Sequence, residues 1–84
     1  MNGAHRKTLI AIFAKPINGN MEWRRIEALF LALGAEIIEG NGSRVTVILN
    51  DKRADFHRPH PGKEALRYRV SAAREFLEKA GITP

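Results

Sequence analysis

The chain has 84 residues, 14 Lys and Arg against 9 Asp and Glu, and a formal net charge of +5. That length admits one small domain and excludes most multi-substrate enzyme folds. With 44% hydrophobic residues the chain can build a core, and with no cysteine it has neither a disulfide scaffold, nor thiol catalysis, nor a thiolate zinc site. No apolar run approaches the ~20 residues that span a bilayer, and no long apolar stretch marks a secretory leader. The expected setting is therefore the cytoplasm, away from membranes.

Residues 1–14 predict a short helix, with Leu9, Ile10, Ile12 and Phe13 near helical spacing after His5, Arg6 and Lys7. Pro16 and Asn18-Gly19-Asn20 end it. Residues 1–20 are read as an N-terminal helical extension docked on a core formed by residues 21–84, the whole chain being one domain. Residues 21–33 predict the next helix, with Trp23, Ile26, Leu29, Phe30 and Leu33 on one stripe. Asn20 is its expected N-cap, and Gly34 fits the position after its end where φ is positive. Trp23, on that stripe, reads as core.

Three strands follow. Ala35–Glu39 is the first, and Gly40-Asn41-Gly42-Ser43 turns the chain. In Arg44–Leu49, Val45, Val47 and Leu49 point inward, while Arg44, Thr46 and Ile48 point outward. After a turn at Asn50-Asp51-Lys52, the strand Arg53–Arg58 sends Ala54 and Phe56 inward and Arg53, Asp55 and His57 outward. Matching the inward faces sets Val47 opposite Phe56 and Leu49 opposite Ala54, hence Thr46 opposite His57 and Ile48 opposite Asp55, with Arg44 diagonal to His57. Pro59-His60-Pro61-Gly62 breaks the sheet. The last helix is expected over 64–80, with Leu66, Val70, Ala73, Phe76, Leu77 and Ala80 toward the core and Gly81 closing it. The order (α)-α-β-β-β-α predicts an α+β two-layer sandwich: a three-stranded antiparallel sheet with helices on one face.

The charge is concentrated. Residues 52–69 hold Lys52, Arg53, Arg58, Lys63, Arg67 and Arg69 against Asp55 and Glu64, an excess of +4. Lys63, Arg67 and Arg74 share one side of the last helix by spacing. Excess positive charge favours a polyanion: nucleic acid, an acidic protein or an anionic surface. Arg44, Arg53, Arg58, Lys63, Arg67 and Arg74 are the candidate RNA-binding residues, and a solvated basic surface is the plain alternative.

The Leu33-Gly34 turn, the Gly42-Ser43 turn into the second strand, the stretch Arg58-Pro59-His60-Pro61-Gly62-Lys63-Glu64 and the closing Ala80-Gly81-Ile82, in this order, resemble the HicA family of small bacterial toxins over roughly residues 22–82. The resemblance implies a fold like the double-stranded-RNA-binding domain, cutting or blocking of messenger RNA as a metal-independent endoribonuclease (an mRNA interferase, hence a hydrolase), no cofactor, and neutralisation by a HicB-like antitoxin. In typical members a histidine taken to be catalytic follows the glycine-serine turn; here that position is Arg44, so the chain is either a ribonuclease or a degenerate relative of one. The histidine of the proline-rich link is matched by His60.

Metal-free RNA cleavage needs a base for the 2′-hydroxyl, an acid for the leaving oxygen and cations for the phosphorane. Histidine suits the first two, with an unperturbed pKa of ~6.5. His60 and His57 are therefore the candidate catalytic residues; Arg44, always protonated, can clamp a phosphate but cannot be the base. His57-x-x-His60 lacks a third metal ligand nearby, and no metal site is expected. The alternative to a toxin is a non-catalytic module that binds RNA or an acidic protein through the same residues.

Overall fold

The computed structural model describes residues 1–84. Its elements are α1 (Gly3–Phe13), α2 (Trp23–Ala32), β1 (Glu36–Glu39), β2 (Arg44–Leu49), β3 (Lys52–His57) and α3 (Leu66–Lys79). The sheet is antiparallel in the order β1-β2-β3. The helices cover one face of it and the other face is open, as the α+β reading expects.

Helix ends follow local chemistry. Gly34 (φ 94°) and Gly81 (φ 81°) lie where only glycine is unstrained. At the first, Gly34 N–H donates to Leu31 O and Ala35 N–H to Phe30 O; at the second, Gly81 N–H donates to Glu78 O and Ile82 N–H to Leu77 O. These paired bonds satisfy carbonyls that a helix end leaves free. Asn2 caps α1 by accepting from His5 N–H at 2.9 Å. The expected cap of α2 does not form. Glu22 stands at the cap position without a side-chain bond, and Asn20 instead donates its backbone N–H to the Asn18 side chain.

One buried cluster joins the helices to the sheet. Trp23, Phe30, Phe56 and Phe76 pack ring against ring with centroids 5.3–6.5 Å apart. Val45, Val47 and Leu49 line the sheet side, and Ile26, Val70 and Leu77 the helix side. Helix α1 contributes Leu9 and Ile12 to the same cluster, while Ile10 faces solvent. Arg74 of α3 anchors α1: its guanidinium donates to Ile12 O at 3.0 Å and Ala14 O at 2.8 Å. A cation at a helix C-terminus meets both the free carbonyls and the negative end of the dipole.

Two further details differ from the sequence reading. The β2–β3 turn has two residues, Asn50 (φ 51°) and Asp51 (φ 65°). Two positive φ values match the right-handed strand twist, and asparagine and aspartate tolerate them. Lys52 therefore joins β3, and the pairs are Val45↔Phe56, Val47↔Ala54, Thr46↔Asp55 and Arg44↔His57. This register lies two residues from the expected one. An even shift keeps every side chain on its face.

The second difference is at the start of α3. Trp23 N–H donates to Lys63 O at 2.9 Å and Ala65 N–H to Met21 O at 2.7 Å. This antiparallel bridge holds residues 63–65 against the entry to α2, so the helix begins at Leu66 rather than 64. Ala65 is buried in place of Leu66, which is 49% exposed and holds a left-handed φ of 56°.

Candidate RNA-facing site

His60 sits in the loop between β3 and α3. The loop is held at its first residue. Arg58 N–H donates to Ser43 O at 2.8 Å, extending the ladder past Arg44↔His57. The Arg58 guanidinium then turns to the helix-covered side and binds two carboxylates. Its Nε and Nη2 donate to Glu27 of α2 at 2.7 and 2.9 Å; its Nη1 and Nη2 donate to Glu39 of β1 at 2.7 and 2.8 Å. Trp23 Nε1 also donates to Glu27. The bonds to Glu27 and then Glu39 hold Arg58 charged well above its ordinary value, and the Arg58 bond in turn holds the Glu39 carboxyl below the ordinary carboxylate range. Arg58 thus ties α2, β1 and the start of the loop together.

Three grooves meet around this loop. Gly42, Ser43, Arg58, Pro59 and His60 line one of ≈ 530 Å³. A second, ≈ 400 Å³, runs from Pro59 and His60 to Leu66, Tyr68 and Arg69. The third, ≈ 290 Å³, lies between the free edge of β3 and α3, lined by Asp55, Phe56, His57, Tyr68, Arg69 and Ala72. His60 is shared by the first two, and Tyr68 and Arg69 by the last two. The grooves therefore form a track from the glycine-serine turn past His60 to His57. The two histidines lie on this track without sharing a groove.

The other expected residues divide. Arg44 and Arg53 lie on the open sheet face. Arg44 is engaged there, donating to Asp55 at 2.9 Å, while Thr46 donates to the other Asp55 oxygen at 2.6 Å. These two bonds, Thr46 first, hold the Asp55 carboxyl below its ordinary value. The Arg53 side chain makes no hydrogen bond and stays exposed. Lys63 lies 3.6 Å from Glu22, and the Arg67 side chain packs on Gly19, where even an added Cβ would stand 3.1 Å from Arg67 Cγ. Arg74 is turned to the end of α1. The structure thus does not gather Arg44, Arg53, Arg58, Lys63, Arg67 and Arg74 on one surface. Arg58 and Arg74 are spent on protein acceptors, and Lys63 and Arg67 lie on the helix layer by the α1–α2 connection, away from the open sheet face.

Tyr68 and Arg69 enter the site unannounced by the sequence reading. Tyr68 is 63% exposed. Arg69 lies over its ring at 4.8 Å and donates Nε to His57 O at 2.7 Å. The available signal was that Tyr68 falls off the apolar stripe of α3. No group of three or more His, Cys, Asp or Glu side chains is placed to hold a metal ion.

A small α+β unit with a histidine loop pinned between a glycine-serine turn and the last helix is the form expected of a HicA-like toxin. A family model described as the HicA toxin of bacterial toxin–antitoxin matches residues 23–82, and the chain belongs to that family. It is the toxin component of a toxin–antitoxin system, a class that is paired with an antitoxin partner. No curated protein and no solved structure matches the chain. No helix is long and apolar enough to cross a membrane.

Proposed function

We propose that this toxin acts on messenger RNA in the cytoplasm as a metal-independent ribonuclease, with His60 as the base, and that a HicB-like antitoxin silences it. The observation that carries this reading is the placement of His60. It lies within the matched stretch, on a loop fixed by Arg58, at the junction of two open grooves. In this reaction His60 takes the proton of a 2′-hydroxyl and the 2′-oxygen bonds to phosphorus. The 5′-oxygen departs as its bond to phosphorus breaks and takes up a proton, for which His57 is the candidate donor. Arg53, Lys63 and Arg67 supply charge for binding phosphates, which makes affinity fall as salt rises. The net charge of +5 also suits an acidic surface on the antitoxin.

One observation favours a second reading. Arg44, at the strand position after the glycine-serine turn, is bonded to Asp55 and offers no base. On that reading the protein binds RNA without cutting it. A time course on labelled messenger RNA with wild type, His60→Ala, His57→Ala and Arg44→His separates the two. Loss of ~10²–10⁴-fold in rate on His60→Ala is expected. Undiminished cleavage by both alanine variants overturns the histidine assignment. Binding without cleavage by wild type, with activity gained in Arg44→His, establishes the second reading.

A further inference from the structure

Tyr68 is the chain's single tyrosine, and it stands in the most basic stretch. Its side chain is not needed by the core: the neighbouring core positions of α3 are Val70 and Ala73, and the Tyr68 hydroxyl bonds nothing in the protein. A large aromatic ring left 63% exposed contributes far less burial than the core rings and keeps a face open to a ligand.

Its neighbour is fixed beside it. Arg69 Nε is held by His57 O, the guanidinium lies over the Tyr68 ring, and its two Nη groups have no protein acceptor. An aromatic ring and a guanidinium plane are the two surfaces on which an unstacked base rests, and the free Nη donors fit a phosphate or a base carbonyl. Leu66, 49% exposed in the groove that Tyr68 shares with His60, adds a further apolar contact.

We propose that Tyr68, with Arg69, is the stacking platform for an unpaired base of a single-stranded RNA whose backbone runs past His60. The inference rests on the RNA-acting reading above and narrows its substrate to unpaired RNA. A base within a duplex is stacked on both sides and presents no face to the ring. The shape-reading mode of duplex-binding domains, which grips phosphates and 2′-hydroxyls, would leave Tyr68 idle.

The test compares affinities at low salt for a single-stranded 2′-O-methyl oligonucleotide, which lacks the nucleophilic hydroxyl, and for the same sequence as a duplex. Tyr68→Ala is expected to weaken single-strand binding about 5- to 150-fold, the equivalent of stacking one base, and to leave duplex binding unchanged. Tyr68→Phe retains single-strand affinity and Tyr68→Leu does not. Wild-type single-strand affinity in a folded Tyr68→Ala protein overturns the stacking platform while the RNA-acting reading stands. Equal losses on single strand and duplex overturn it as well, since they assign Tyr68 a general role. Wild type that binds neither form removes both readings.

Discussion

The two flanks of the β3–α3 connection use arginine in opposite ways. At its start Arg58 is saturated: two carboxylates take its guanidinium, and the backbone N–H is in the sheet ladder. At its far side Arg69 gives one nitrogen to the strand end and keeps the rest for solvent. The first arrangement builds a rigid corner; the second leaves a prepared donor beside an exposed ring. Charge counts alone treat the two residues as equal members of a basic stretch. A cation whose donors are already satisfied must break them before it can hold a phosphate, and that cost removes it from recognition.

The contrast is sharpened by substitutions graded from core to surface. Phe56→Ala or Phe76→Ala, in the aromatic cluster beneath both flanks, is expected to cost ~3–5 kcal/mol and to threaten folding, because a small domain has little stability to lose. Urea unfolding at neutral pH measures this. An effect below ~1 kcal/mol would contradict the assigned core.

Arg58→Met is expected to cost less, about 1–3 kcal/mol, because Glu27 is left with an unmet charge while solvent screens Glu39. The same variant should lower cleavage or RNA binding through the loosened loop, whereas Arg69→Met should lower RNA binding with little change in stability. Paired unfolding and binding curves read both. Equal stability losses at the two positions would dissolve the comparison.

The smallest effect is in acid. Glu39, Glu22 and Asp55 are each held below their ordinary pKa, by Arg58, by Arg24, and by Thr46 with Arg44. A carboxyl depressed in the folded state adds stability that is complete above its ordinary value of 4.5 for glutamate or 3.8 for aspartate, and is lost as pH falls through the lower folded value. Melting temperature should therefore decline below about pH 4.5, and Glu39→Gln or Asp55→Asn should flatten that limb. An unchanged acid limb in both variants would show these pairs to be inert.

What the sequence by itself determined was the inward face of β2, of β3 and of α2. Period-two alternation in 44–49 and the 3.6-residue stripe from Trp23 to Phe30 assign the core, because burial of apolar side chains depends only on which side of an element they leave. Glycines 34 and 81 announced their helix ends because positive φ excludes most other residues. Only the tertiary structure decided the rest. The two-residue turn at Asn50-Asp51 set the register, which parity cannot fix, since a shift of two preserves it. The pairing of residues 63–65 with 21–23 moved the start of α3 and turned Leu66 outward, a contact forty or more positions apart that no local pattern encodes. The partners of each arginine were likewise hidden. A guanidinium has five donors, and which carboxylate or carbonyl reaches them depends on elements brought together only by folding.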